Sequence, residues 1–360
     1  MLETRLITEE NNFIALGKEW NSLLQRSDAN NIFLTWEWIS NWWEVFGGGK
    51  ELRIPAFYQG GNLVGLVPLY IRKRRFAHTI PLREISFLGC GETVRSDYMD
   101  IISLPEYCNE CRDALLKYLN RDMRWEIANF KDLRDDSPLL SPRSNKRVKT
   151  YNIQEERCYY VRMPESFDDY LSGLDARMRR NIRNRRRNLE RDFSSVAFRV
   201  VQKSEELEEW MQDFKTVHMK RMGIKGLSGK FSNDKYGQFH SNISRAFLEK
   251  GWLFAADLRL NGKMAAARYG YLYDNKIFDY QTGFDPAYSK NGIMQALLSY
   301  IIEYAATKKI REFDFLAGGD DYKRRFANSH RKVHTVKMAN NTFRGRLYTS
   351  LRKIRGLVTP

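Results

Sequence analysis

Cysteine is scarce in this sequence: four residues among 360, at positions 90, 108, 111 and 158. That number and scatter exclude the disulfide framework on which small secreted domains depend. Cys108 and Cys111 have the spacing of half a zinc site, but no second pair accompanies them and zinc takes about four ligands. The five histidines, His78, His218, His240, His330 and His334, fall in no nucleophile or metal motif. His330 and His334 are four residues apart without a third ligand, and His218, just before Lys220 and Arg221, reads either as an acid–base group or as an ordinary helix-face histidine. No metal site is expected. The chain has no Gly-x-Ser-x-Gly elbow and no Walker loop, which disfavours covalent serine hydrolysis and P-loop phosphate chemistry. No run approaches the roughly 20 apolar residues of a bilayer span, so membrane insertion is not expected and the location read from the sequence is cytoplasmic. Acidic residues are in deficit, 44 against 60 Lys and Arg, and the net charge of +16 suits an anionic partner: a phosphorylated donor, RNA or an acidic membrane face.

What is present is an ordinary globular composition, 42% hydrophobic and 13% aromatic, in a chain long enough for two domains. The clearest pattern lies between 252 and 326. Residues 252–260 and 264–273 read as strands joined by the hairpin signal Asn261-Gly262, and Asp274-Asn275 turns the chain into a third strand over 276–282. A helix follows, with Ile293, Leu297, Ile301 and Ala305 at four-residue spacing. The amides from Gly292 to Met294 are expected to be unpaired at its start, forming an anion site with Lys290 beside it. Residues 311–316 return as a strand that runs through Gly318 and Gly319 into Tyr322-Lys323-Arg324-Arg325-Phe326.

This order of meander, glycine-opened helix and returning strand resembles the GNAT acyltransferases. The tail Asp314-Phe315-Leu316, Gly318 or Gly319, Tyr322-Lys323 and Phe326 is similar to the CelD/BcsL branch with its BioF-like acetyltransferase domain, and more distantly to the FemAB peptidyltransferases. Further matches are Phe33-Leu34-Thr35-Trp36-Glu37-Trp38, Trp42-Trp43, residues 63–70 and the arginine-rich segment near 180, so the resemblance covers roughly residues 30–330. One departure stands out: the usual pyrophosphate loop has spaced glycines after a basic or Gln residue, and here only Lys290 and Gly292 stand in for it.

The first half echoes the second. Residues 52–58 and 63–72 read as a hairpin around Gly60-Gly61, 83–88 and 98–102 as strands, 106–120 as a helix and 125–130 as a closing strand. Residues 131–154, polar and carrying Pro138, Pro142 and a basic run at Arg143, Lys146, Arg147 and Lys149, read as a connection. The expected fold is α/β (α+β): tandem GNAT-like domains, each a mixed, largely antiparallel sheet flanked by helices. The expected boundaries are 1–150 for a non-catalytic copy, 151–345 for the acyltransferase copy and 346–360 for a basic tail. From 175 to 192 a helix has Met178, Ile182, Leu189 and Phe193 on one stripe, with Arg179, Arg180, Arg183, Arg186 and Arg187 mainly off it. Its arginines suit a solvated face, a phosphate contact or an RNA or membrane surface; the resemblance favours phosphate contact. Trp38 and Trp42, four residues apart, suit core packing of a helix or a sugar-stacking platform.

The resemblance implies an N-acyltransferase moving an acyl group, not an aminoacyl group, from acyl-CoA such as acetyl-CoA to an amine. Lys290, Asn291 and Gly292, with Arg324, would hold the donor. Lys323 would steady developing negative charge, Tyr322 and Tyr280 would be candidates for proton transfer, and backbone donors of strands 276–282 and 311–316 would face the oxyanion. Arg180, Arg183 and Trp38 would face the acceptor, an amine-bearing sugar or polysaccharide precursor of exopolysaccharide or cellulose production. Two alternatives are a FemAB-like transferase using aminoacyl-tRNA and a non-catalytic basic module binding RNA or a membrane surface.

Overall fold

A computed structural model describes residues 2–77, 79–91, 94–122, 124–140, 148–224 and 226–358, with side chains up to 352. His78, Pro142, Arg143, Lys146 and Arg147 lie outside the described residues. The chain forms two compact units, Met1–Glu156 with Lys332–Pro360, and Arg157–Arg331.

The first unit opens with β1 (Glu3–Ile7), α1 (Glu10–Gln25) and α2 (Trp36–Phe46), followed by β2 (Glu51–Leu52), β3 (Ile54–Gln59), β4 (Asn62–Leu66), β5 (Leu69–Phe76), β6 (Ile80–Phe87), β7 (Ile102–Ser103), α3 (Cys108–Arg121) and β8 (Ile127–Arg134). The segment 63–72, expected as one strand, is two, because Pro68 has no amide to continue a ladder. The expected strand 98–102 shrinks to β7 and a single bridge from Met99 to Leu133; Tyr98 takes a left-handed φ of 61° that breaks the extended run. Within 131–154, β8 continues to Arg134 and β9 (Val148–Arg162) begins at Val148. The start of β9 is mostly exposed and polar, so it carries no alternating apolar signal.

The second unit continues with α4 (Phe167–Ser172), α5 (Ala176–Asp192), β10 (Val196–Val200), α6 (Ser204–Ile224), α7 (Asp234–Glu249), β11 (Leu253–Leu260), β12 (Lys263–Tyr273), β13 (Lys276–Phe284), α8 (Ile293–Thr307), β14 (Glu312–Ala317) and α9 (Asp321–Phe326). Its strands lie in the order β10-β11-β12-β13-β14-β9. Both expected turns form: Asn261, Gly262, Asp274 and Asn275 all have positive φ, which matches the right-handed twist of the strands they join. One face of the sheet meets α5 and α8, where Met178, Ile182, Leu189, Leu297, Ile301 and Phe313 are buried together. The chain ends, in the first unit, with β15 (Ser329–Asn340) and α10 (Phe343–Val358).

The echo between the halves is a shared topology. In the second unit α8 connects β13 to β14, and the two strands pair in parallel over Lys276–Phe278 and Glu312–Asp314. In the first, α3 lies between β6 and β8, which pair in parallel over Glu84–Ser86 and Ile127–Asn129. The remaining pairings of named strands within each unit are antiparallel among the described residues. The fold is therefore mixed α/β, with largely antiparallel sheets flanked by helices. Among the described residues no helix is long and apolar enough to cross a membrane.

Candidate active site

In the second unit, β13 and β14 stay paired for only three residues and then part, and three groups converge on the opening. The first is the start of α8. Gly292 sits in the left-handed region (φ 66°, ψ 32°), which a residue with a side chain adopts only under strain. Its own amide donates to Ser289 O at 3.1 Å, so it is not the free donor expected of it; Gln295 N and Ala296 N return to Gly292 O. The amides of Ile293 and Met294 remain without an acceptor among the described residues. Lys290 is exposed and Asn291 half-buried beside them, in a 3-10 turn, Pro286–Asn291, that the sequence did not signal.

Against Gly292 lies Arg185, a residue sequence reasoning passed over. A Cβ built on Gly292 would stand 1.3 Å from its Nη1. The signal was present in the wheel of α5: Arg185 comes three residues after Ile182 and four before Leu189, on the border of the buried stripe. Asp175 caps α5 by accepting from Met178 N at 2.8 Å. The other arginines divide by direction. Arg186 pairs with Glu303 and lies 3.9 Å from the centre of the Tyr300 ring, and Arg179 donates to Ser172 O at 3.2 Å, so both brace the helix. Arg180 is exposed and Arg183 reaches only Asp168, at 4.0 Å; the structure does not bring them to Gly292 as it does Arg185.

The second group is the end of β14. The pairing with β9 slips between Asp314 and Ala317, and Leu316, buried, is forced to a φ of 59°. A bulky residue in that region is strained and is retained only where its surroundings hold it. They do: Leu316 N donates to Asp314 Oδ1 at 2.7 Å, and Leu316 O accepts from Lys323 Nζ at 3.3 Å. Lys323, 6% exposed, also donates to Ala317 O at 3.0 Å. An ammonium has three donors, and the third has no partner among the described residues. Arg324 is turned outward onto Asp321, at 3.0 Å, rather than toward the helix start.

The third group sits on β12 and β13. The register slips between Tyr269 and Gly270, which face Gln281 and Asp279, so Tyr280 is the extra residue of a bulge. Its ring contacts His240 and Tyr271, each with centroids 5.4 Å apart. Asp279 instead pairs with Arg268, and the Arg268 guanidinium lies 5.6 Å from the centre of the Tyr322 ring. The structure thus gathers Tyr322, Lys323, Asp279 and Arg268, and gives Tyr280 different neighbours. Burial pushes the Asp279 carboxyl and the Tyr322 phenol up, and in both cases Arg268 opposes the shift.

One expectation is corrected, and one alternative is decided. Trp38 is fully buried and donates through its indole to Ser96 Oγ at 2.8 Å, so no face is free for a sugar ring. His218 is buried in α6 with its Nδ1 3.0 Å from Thr282 O, and burial lowers its pKa. Among the described residues no cluster of three or more His, Cys, Asp or Glu side chains is arranged to hold a metal.

Residues 176–324 match the family model of the acetyltransferase (GNAT) domain. Among solved structures, FemX aligns over 96% of this chain and 98% of its own, at 11% identity and a TM-score of 0.65. A conserved protein of unknown function from Bacteroides thetaiotaomicron aligns over 94% and 100%, at 11% identity and a TM-score of 0.53. At such identities the likeness concerns the fold. A search of curated protein sequences gave no match. Residues 176–324 are thus similar to a GNAT-type acetyltransferase domain, and the chain as a whole shares the fold of these structures.

Proposed function

We propose that the protein is an N-acyltransferase that moves an acyl group from acyl-CoA to an amine in the opening between β13 and β14. The observation that supports this most directly is the three-residue parallel pairing, with the start of α8 and Arg185 at one strand's exit and the Lys323 ammonium at the other's. The amides of Ile293 and Met294, with Arg185 and Lys290, form a cradle of positive potential for the donor's pyrophosphate. The amine nitrogen attacks the thioester carbonyl carbon, and the resulting oxyanion faces the third donor of Lys323. Collapse breaks the C–S bond, the electron pair leaves on sulfur, and Tyr322 donates a proton to that sulfur; the new amide's nitrogen loses its extra proton to solvent, and the phenolate is reprotonated from it. The chemistry rests on positioning, without a covalent enzyme intermediate.

The resemblance of the Asp314 to Phe326 segment to the CelD/BcsL branch supports an amine-bearing sugar or polysaccharide precursor as acceptor, in exopolysaccharide or cellulose production. The likeness to FemX supports a second reading, transfer from aminoacyl-tRNA, which the net charge of +16 and the exposed arginines of α5 also suit. Thermal unfolding with acetyl-CoA, a long-chain acyl-CoA and charged tRNA separates the two. A donor at about 100 times its dissociation constant adds about 2.7 kcal/mol of stability. A shift with a thioester supports the first reading; a shift with tRNA alone transfers the assignment to the second, and none with any donor overturns both.

A further inference from the structure

Arg268 and Asp279 form a buried ion pair in the middle of two strands, 2% and 7% exposed. Buried pairs of this kind are weak contributors to stability, since apolar residues of similar volume often serve as well or better. This one is also incompletely satisfied: Arg268 Nε, buried, has no hydrogen-bond partner among the described residues. The bulge at Tyr280 changes the register beside Asp279, which joins Arg268 rather than the Tyr280 cluster. The guanidinium so held lies over the Tyr322 ring, 5.6 Å from its centre.

We propose that Arg268, held by Asp279, is a positioning residue that presents the Tyr322 hydroxyl to the sulfur leaving the donor thioester. The inference rests on the acyl-transfer reading above and adds the residues that aim its proton donor. Lying over the ring, the guanidinium fixes the ring's position, and its positive charge stabilises the phenolate left after proton transfer. The groups that act on Tyr322 are Arg268, Asp279 and Asp320; those that act on Asp279 are Arg268, Lys323 from α9 and Arg221 from α6. Among them only Arg268 makes Tyr322 a stronger acid, against the burial that weakens it.

The test replaces the pair as a unit, Arg268→Met with Asp279→Leu, which keeps the volume and leaves no unpaired charge. Tyrosines labelled with 13C at Cζ, with the Tyr322 resonance assigned through Tyr322→Phe, report the phenol's titration directly. The expected result is an unchanged melting temperature, a Tyr322 titration moved to higher pH, a kcat about 100-fold lower with donor KM within about twofold, and an alkaline limb of kcat moved upward with the phenol. Arg268→Lys, which keeps the charge and loses the planar fork, is the second variant should the double variant fail to fold; it should lower kcat without moving KM. A folded variant whose Tyr322 titrates as in the wild type, or whose kcat and alkaline limb are unchanged, overturns the proposal. Wild-type protein that transfers no acyl group from any thioester overturns the function reading instead, and the Tyr322 titration then still judges the Arg268 contact by itself.

Discussion

Gly292→Ala acts on the donor cradle through two effects of opposite size. The first is local: alanine at φ 66°, ψ 32° costs about 1–2 kcal/mol of left-handed strain, worth roughly 2–4 °C in melting temperature per kcal/mol for a unit the size of Arg157–Arg331. The second is the guanidinium. With the new Cβ 1.3 Å from Arg185 Nη1, the side chain must swing away. Arg185 is long and makes no hydrogen bond or ion pair among the described residues, so its departure adds little to the loss of stability. It does remove one charged donor from the pyrophosphate, worth about 1.5–3 kcal/mol, or roughly 10- to 150-fold in affinity. Titration calorimetry with acetyl-CoA should therefore show Gly292→Ala binding at least tenfold more weakly than wild type while remaining folded. Arg185→Ala should weaken binding by a similar factor without the thermal loss, and the double variant should be no weaker than Gly292→Ala, because both changes remove the same contact. Wild-type affinity in Gly292→Ala, with the thermal loss present, would refute the assignment of Arg185 to the donor.

Lys323→Met should lower kcat about 100-fold with little change in donor affinity, and should destabilise the fold by about 1–3 kcal/mol because Leu316 O and Ala317 O lose their donor; full turnover would remove Lys323 from the mechanism. In the first unit, burial pushes the Asp100 carboxyl up to about 7, against hydrogen bonds from Ile101 N and Ser137 Oγ. Between the unfolded value of about 3.9 and about 7 the folded state holds a proton that the unfolded state lacks, so stability falls as pH rises through that window, by up to about 1.4 kcal/mol per pH unit. Asp100→Asn should flatten that fall in denaturant titrations at pH 4.5 and 7.5. His240 has the opposite sign: burial holds its pKa well below the usual value, so the folded state stays neutral while the unfolded histidine protonates below about pH 6.5, and stability is lost on acidification. His240→Gln should reduce that acid loss, read from the same titrations at pH 5 and 7.5.

The local parts of the fold were legible because their signals are short-range. The two turns with paired residues of positive φ, the β11 to β13 meander, the stripe of α8 and the capped start of α5 are all set by neighbours within a few residues. The bulges at Tyr280 and between Asp314 and Ala317 were not legible, since a bulge leaves no mark on composition and appears only when one strand is laid against another. With them were missed the strain at Leu316 and the pairing of Asp279 with Arg268. A hint of that pair existed: each of two adjacent strand patterns carries a full charge of opposite sign in its apolar interior. Trp38 shows the converse, a four-residue spacing that fits a core helix as well as a sugar platform, between which burial alone decides.

The parallel pairing of β13 with β14 has a further consequence for motion. β13 is laced to β12 by eight residue pairs and β14 to β9 by four with a slip, whereas β13 and β14 are sewn to each other by three. Partial openings of a protein begin where the fewest bonds must break. The seam is therefore the natural line along which this unit breathes, and a donor lying across it, touching α8 on one flank and the Leu316 turn on the other, would act as a staple. Hydrogen exchange at Phe313 and Asp314 should slow when such a donor is bound, while the meander's amides keep their own, slower rate.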